Sequence, residues 1–572
     1  MVEVAQLSSP NQNIASEQAE TPNTVVLEAL GAALPELGVS FMAGLPGSGN
    51  YELVHAAREA GVRYYGSNHE AGAVGVADGW SRTTGQVGVA MLSQGPGLTN
   101  GLTALTEAVK SRTSMVVIVI DTPRTSRHGN LNVDQTAVCR ALGAGVEVVR
   151  SAASAVDDLA RSLHRTQTEM LPIVLMVPLD LVHAKVPKAQ TTVRSLAYAA
   201  PPWPDLHSVK EAANKIKLAK RPVILAGRGA MRSEAGAELR ALAEQIGAVL
   251  TVAAPAKGLF SGDDFDLGIA GSFASPVTAE LLGQADLVLA FGASLNAWTT
   301  GNGRMLGANV PAIQVDVDPS AIGSHRSVDM AIHGDAAVTA TQIYQELVRG
   351  EWKQTGYRTP ELKNRLATND PSSHFIAATG EKGLDPRVFT LALESLLPAE
   401  RTLTVDSGHF MGWPAKYLSV PDAAGFVYPQ SFQSVGLGLA VSIGVGIARP
   451  DRISVLTIGD GGWMLSPQEL DTAVQNEVSL LAIVYNDSSY GAEVHRFEPL
   501  GLNVDLVRFP ERNFEAMAQS VGAQGVTVRS LDDLEKLKPW LENPSGPMLV
   551  DAKIDPTVIG DWIAGNSKAA LA

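Results

Sequence analysis

At 572 residues the chain exceeds what one hydrophobic core can organise, which implies about three domains. Its hydrophobic content of 45%, charged content of 18% and formal net charge of −15 fit a globular enzyme and argue against nucleic acid or anionic membrane as a partner. The single cysteine, Cys139, excludes an internal disulfide and the cysteine ladders of structural zinc, and it reads as a small core residue.

Residues 1–23 are polar and acidic and read as a disordered tail, and no apolar run reaches membrane-spanning length, so the cytoplasm is the expected address. From Thr24 helices alternate with short apolar strands, the α/β pattern, over a first domain at 24–186. An amphipathic helix over 25–37 leads to a strand at 39–42, a sharp Gly-rich loop, and a strand at 62–67. Then comes Asn68-His69-Glu70-Ala71-Gly72-Ala73, opening a helix of nearly all small residues that can pack very closely on another helix or a flat ligand. Glu70 taken alone reads as a carboxylate favourable to a helix N-terminus. A buried strand at 87–92 ends in Ser93-Gln94-Gly95-Pro96-Gly97, with a helix expected from Thr99-Asn100 and another strand at 115–120.

The second domain, 205–346, contains a strand ending in Gly227-Arg228-Gly229, a helix over 233–246, and strands at 287–291 and 313–317. That Gly-Arg-Gly turn is a weak dinucleotide signal, because it lacks the full GxGxxG and the later acidic partner, so this domain reads as structural. A polar, proline-containing linker spans 347–384. The last domain, 385–560, opens with a strand at 402–405 and the turn Asp406-Ser407-Gly408-His409. Further on, an apolar run at 453–458 breaks at Gly459-Asp460-Gly461-Gly462. Ser466 as N-cap, Pro467 and Glu469 then predict a helix, and a second apolar run at 480–485 ends in Asn486-Asp487-Ser488-Ser489. A parallel crossover brings Asp460 and Asp487 to one sheet edge. Two carboxylates beside Gly- and Ser-rich loops suit Mg²⁺ carrying a diphosphate.

The Gly-Asp-Gly unit followed by Asn486-Asp487 resembles the fingerprint of thiamine diphosphate (ThDP)-dependent enzymes. The stretch from His69-Glu70 to Asp78-Gly79-Trp80, with Gly95-Pro96-Gly97-Leu98-Thr99-Asn100, resembles their pyrimidine-binding domain. The resemblance covers nearly the whole chain and lies with the acetolactate synthase, benzaldehyde lyase and 2-oxo acid decarboxylase branch. It implies an α/β fold of three doubly wound parallel-sheet domains: pyrimidine-binding, central and diphosphate-binding. Asp460, Asp487 (where the family usually has Asn) and the Ser489 carbonyl would hold the metal. Pro96, Asn100, Ser407, Gly408, His409, Gly461 and Gly462 would surround the cofactor, Val435 would wedge beneath it, and Glu70 would bond N1′ of its aminopyrimidine.

Some members of that branch hold FAD in the central domain. Here the run from Ser294 to Thr300 lacks the arginines expected there, so FAD is not expected. The implied activity is decarboxylation of a 2-oxo acid followed by ligation to a carbonyl acceptor, giving a 2-hydroxy ketone, as in acetolactate synthases. The alternatives are a simple 2-oxo acid decarboxylase, a 2-hydroxyacyl-CoA lyase, or a non-catalytic binding protein of the same fold. Glu493 and His495, titratable groups where the synthases have apolar residues and a Trp, are further candidates for substrate binding or proton transfer. Because Glu70 and Asp460 lie on different domains, the resemblance implies a site shared between two chains, hence a homodimer at least and a homotetramer by analogy.

Overall fold

The computed structural model describes residues 24–126, 128–187 and 200–563. The tail assigned to 1–23 lies outside them. Eighteen strands form three six-stranded sheets, and every strand pairing within them is parallel. The first sheet contains β1 (Phe41–Gly44), β2 (Arg63–Gly66), β3 (Gly88–Leu92), β4 (Met115–Asp121), β5 (Gly145–Val148) and β6 (Ile173–Pro178), in the order β2-β1-β3-β4-β6-β5. The central sheet contains β7 (Pro222–Ala226), β8 (Val249–Val252), β9 (Asp266–Ile269), β10 (Leu287–Phe291), β11 (Ala312–Asp316) and β12 (Met330–His333), in the order β12-β11-β10-β7-β8-β9. The third contains β13 (Arg401–Val405), β14 (Phe426–Val427), β15 (Ile453–Gly459), β16 (Leu480–Asn486), β17 (Gln524–Val528) and β18 (Met548–Lys553), in the order β14-β13-β15-β16-β18-β17. The expected α/β class and parallel sheets are therefore present. Their central strands are buried end to end, as sheets covered by helices on both faces require.

The first and third sheets share one strand order, and the helix after the second strand of each is rich in small residues. These are Glu70–Thr84 and Gly438–Ala448, and they pack directly on each other. A Cβ placed on Gly79 would lie 2.1 Å from the Val441 carbonyl oxygen, and one on Gly444 would lie 2.0 Å from that of Val76. Only glycine permits this backbone approach. Gly79→Ala should therefore destabilise the protein by about 1–3 kcal/mol through overpacking, despite gaining ~1 kcal/mol of helix propensity. The check is the thermal unfolding midpoint, and an unchanged midpoint would show that the two helices separate freely.

Polar ties reinforce the contact. Ser67 Oγ donates to Glu469 Oε2 at 2.8 Å, and the Asn68 N–H donates to Thr472 Oγ1 at 3.1 Å. Arg82 is paired with Asp78 and Glu107 and also donates to the Tyr428 carbonyl, which links the first domain to the third.

Three local expectations need correction. The helix after Gly-Pro-Gly begins at Pro96, not at Thr99: proline serves as first helical residue because its missing N–H has no partner there anyway. Ser466 caps no helix. Its hydroxyl donates to the Gly436 carbonyl at 2.7 Å, a short helix Asp460–Trp463 forms at the Gly-rich turn, and the next begins at Glu469. The helix expected over 233–246 begins at Gly236 and ends at Ile246, and a separate short helix, Arg228–Arg232, precedes it with Glu234 at positive φ between them. Apart from these three, the linker span 347–384 contains the short helix Pro360–Ala367, started by Thr359.

Candidate active site

Strand register builds the site. Gly459, the last residue of β15, lies opposite Tyr485 of β16, so Asp460 emerges beside Asn486 and Asp487 follows at the same edge. Asn486 shapes the turn: its Nδ2 donates to buried Asp551 at 2.8 Å, and its Oδ1 accepts from the Ser488 N–H at 3.1 Å. Ser488 is held at φ 54°, a left-handed conformation few side chains adopt. Asp487 Oδ1 accepts from both the N–H and the hydroxyl of Ser489. Backbone bonds from Phe509 N–H to Ser488 O and from Tyr490 N–H to Val507 O fix the peptide between. Gly461 and Gly462 leave no room for a side chain. A Cβ on the first would meet the Tyr490 ring at 2.5 Å, and one on the second would meet Asp406 Oδ2 at 2.6 Å.

Asp460 is buried and Asp487 half-buried, and both are held well above the ordinary carboxylate range. Desolvation is the first cause, and for Asp460 repulsion from Asp487 is the second. Asp460 Oδ2 is buried without any hydrogen-bond donor. An orphaned anionic oxygen beside a second acid is costly unless a cation joins them. The donor set therefore fits Mg²⁺, with Asp460, Asp487 and the Ser489 carbonyl as its protein ligands, the hard oxygen donors this ion prefers. No cluster of three or more His, Cys, Asp or Glu suited to a metal occurs among the described residues, as expected when one ligand is a main-chain carbonyl.

These groups form one end of a cavity of about 1160 Å³ that also exposes Ser407, Gly408, His409, Val435, Ser489 and Glu493. Val435 leans over the Gly-rich turn, with its Cγ1 3.2 Å from where a Gly462 Cβ would stand. The loop beneath it is pinned by Asp406, a residue sequence reasoning passed over, whose two oxygens accept from the Gly436 and Gly438 N–H groups at 2.9 and 3.0 Å. An Asp at a strand end two residues before a Gly-His pair was the available signal. Burial pushes Asp406 up to about 7, against the lowering effect of those backbone donors.

His409 Nε2 accepts from the Gly560 N–H at 3.0 Å, so the proton of the neutral ring sits on Nδ1, on the side of Gly491 and Asp487. Burial, and then the neighbouring His495, push it down to about 3. His495 does not line the cavity. Its ring packs on His409 at 4.4 Å between centroids. Glu493 and Arg496, three positions apart on the helix Gly491–Phe497, share the face that does line it. Arg496 was not among the candidates that the sequence suggested.

Glu70, Pro96 and Asn100 stand elsewhere. Asn100 Nδ2 donates to Glu70 Oε2 at 3.0 Å, Pro96 and Asn100 are exposed, and none of the three borders the cavity that holds Asp460. His69 caps the helix Glu70–Thr84 by accepting the Ala71 N–H at its Nδ1. Within one chain, then, the two candidate halves of the site are separate.

Three family models match the chain in the order of the three sheets, the first ending before β5. They are the N-terminal TPP binding domain at 25–139, the central domain at 209–343 and the C-terminal TPP binding domain at 406–552 of thiamine pyrophosphate enzymes. The chain belongs to the thiamine pyrophosphate (ThDP)-dependent enzymes. It is similar to a sulfoacetaldehyde acetyltransferase of Alcaligenes xylosoxydans xylosoxydans, with 27% identity covering 87% of each chain. It is also similar to an acetolactate synthase of Arthrospira platensis, with 25% identity covering 92% of this chain and 93% of the relative. A probable 2-ketoarginine decarboxylase of Pseudomonas aeruginosa is 27% identical over 89% of this chain and 90% of its own. Among the described residues no helix is long and apolar enough to cross a membrane.

Proposed function

We propose that the protein decarboxylates a 2-oxo acid and passes the remaining acyl unit to a second carbonyl, in the manner of acetolactate synthases. The observation that carries this reading is the joining, in one cavity, of the Asp460–Asp487 pair with Arg496 and Glu493. Bound ThDP supplies the electron sink that makes loss of CO₂ feasible. The chain's own groups supply the rest. Mg²⁺ on Asp460, Asp487 and the Ser489 carbonyl would hold the diphosphate, and Val435 would set the cofactor's bend from below. Glu70 would hold a proton at N1′ of the pyrimidine. The Arg496 guanidinium offers a partner for the substrate carboxylate, and Glu493 can move a proton at the reacting carbonyl. Neutral His409, with its proton fixed on Nδ1, orients without delivering charge.

The second half of the site comes from another copy of the chain in this reading. Support lies in the separation of Glu70 from Asp460, and in exposed apolar side chains near the cavity: Phe432, Leu465 and Leu506, the last 91% exposed. A homodimer is the minimum unit and a homotetramer the expected one.

The test is CO₂ release from a panel of 2-oxo acids with ThDP and Mg²⁺, with product analysis with and without an added aldehyde. A 2-hydroxy ketone is expected, and release of free aldehyde alone would assign the protein as a simple decarboxylase. Arg496→Met should raise KM for the 2-oxo acid about tenfold or more, the worth of a charge-assisted hydrogen bond, with a smaller change in kcat. An unaltered KM would remove Arg496 from substrate binding.

A further inference from the structure

The central sheet reverses direction of growth at β7. The chain adds β8 and β9 on one side of it, then β10, β11 and β12 on the other. The crevice over the C-terminal ends of β7 and β10 is thus a topological switch point, where open parallel sheets take ligands. Here that crevice is not a separate pocket. It is the far end of the same cavity whose near end holds Asp460 and Asp487.

The turn Arg228–Arg232 leaves β7 there and brings two guanidiniums to the cavity wall. Arg228 Nη2 donates to Ser431 Oγ at 3.0 Å, and Arg232 Nη2 donates to the Arg112 carbonyl at 2.5 Å. Among the described residues neither has a carboxylate within ion-pair distance. The acids nearby have other partners, and Asp316, which also lines the cavity, accepts the Asp318 N–H at 2.9 Å. Arg82 bonds both Asp78 and Glu107, whose oxygens also take Thr113, Ser111, Ser431 and Phe432. Arg228 stands close enough to feel both acids and offsets the charge that Arg82 leaves over. Arg112 is taken by Asp318. Asp335 is spent on the N–H groups of Ala337 and Val338. Arg232 therefore has no carboxylate of its own. Burial first, then Arg82 and Arg232, push Arg228 down to about 9. Arg228 is half-buried and Arg232 is exposed at the cavity rim, and of their ten N–H donors two are engaged, an arrangement that suits an oxyanion.

We propose that Arg228 and Arg232 form a specificity subsite for a second oxyanion carried by the carbonyl substrate itself, remote from its reacting end. The inference rests on the decarboxylase–ligase reading above. It narrows the substrate class to dianions whose second charge is a carboxylate, sulfonate or phosphonate. Small monoanions such as pyruvate would leave the far end of the cavity to water.

Two measurements on the ThDP- and Mg²⁺-loaded protein test this, and the first needs no turnover. In calorimetry, 3-phosphonopropionate should bind at least about tenfold tighter than propionate, and Arg232→Met should remove most of that difference. Arg232→Lys, which keeps the charge and loses the planar fork, should restore part of it, and thermal midpoints establish that each variant is folded. Second, dianionic and monoanionic 2-oxo acids are supplied in turn as donor and as acceptor beside pyruvate. The ratio of their kcat/KM values should favour the dianion in at least one role and fall about tenfold in Arg232→Met. If no 2-oxo acid releases CO₂ while the phosphonate advantage and its loss in Arg232→Met persist, the assigned reaction fails and the anion subsite stands. Equal binding of phosphonate and propionate overturns the subsite. If ADP or FAD binds the wild type and not Arg232→Met, while dianions gain nothing, the oxyanion belongs to a separate nucleotide and the substrate-borne reading is overturned.

Discussion

Asp460→Ala is expected to abolish ThDP binding, weakening it at least about a hundredfold, the order of removing one partner from a buried charge pair. The reason lies in which oxygen is removed. Asp460 Oδ2 is the buried acceptor with no donor, whereas Asp487 Oδ1 already takes two hydrogen bonds from Ser489. Without Asp460 the metal loses its least encumbered ligand, and the diphosphate then meets Asp487 with its charge unscreened. Asp487→Asn should behave oppositely. The amide oxygen can still accept from Ser489 and face the metal, while one negative charge beside the diphosphate disappears, so binding should be kept or tightened.

The pair also sets a pH dependence. Burial and, for Asp460, its neighbour's charge hold both carboxyls above the ordinary range, and Mg²⁺ favours their ionised forms. Metal and cofactor binding should therefore release protons and weaken as pH falls. Titration calorimetry in two buffers of different ionisation enthalpy reads this directly. Equal loss of cofactor in Asp460→Ala and Asp487→Asn would show that the two acids are not distinguished as argued.

Much of this edge was legible in the chain because its geometry is local. A β-branched run, a Gly-rich break, a helix and a second apolar run leave one topology open, the right-handed parallel crossover, and register then places Asp460 beside Asn486-Asp487. The three-domain α/β architecture was legible for the same reason. What stayed hidden depends on contacts between distant segments. Ser466 carries every mark of an N-cap, yet its hydroxyl serves Gly436, thirty residues earlier in the chain. Asp406 looks like an ordinary turn residue until the loop of Val435 folds over it. His495 and Glu493 cannot be told apart by spacing, since helix phase is set by how Gly491–Phe497 packs, and His409 takes up the His495 ring. The setting of Arg228 and Arg232, against Ser431 of the third domain and Arg112 of the first, is a property of three domains together, and no local pattern announces it.

Glu70→Ala should lower turnover by about 10²–10⁴-fold, the usual worth of a positioned proton-transfer group, while leaving the fold intact. Three features of its setting bear on that expectation. His69, not Glu70, caps the helix, so removing the carboxylate costs no backbone hydrogen bond at the N-terminus. Glu70 Oε2 accepts only from Asn100 Nδ2, an exposed contact whose loss should cost well under 1 kcal/mol net once water replaces it. Its packing neighbours are the close helix pair below, held by Gly75 and Gly79 rather than by Glu70. The thermal midpoint should therefore stay within a few degrees of wild type, and ThDP should still bind through the Asp460 end. Glu70→Gln sharpens the test. The amide keeps the length and can keep a bond to Asn100, but it cannot hold a proton as a carboxylic acid does, so its turnover should remain close to that of the alanine variant. Recovery to near wild-type turnover in Glu70→Gln would reduce Glu70 to a spacer. Measuring both variants alone and mixed with Asp460→Ala protein adds a second reading. If two chains share the site, a dimer of one Glu70→Ala chain and one Asp460→Ala chain holds one intact site, so activity should reappear in that mixture. A chain carrying both lesions paired with wild type holds none, and a mixture of the two single variants that stays inactive would place the whole site in one chain.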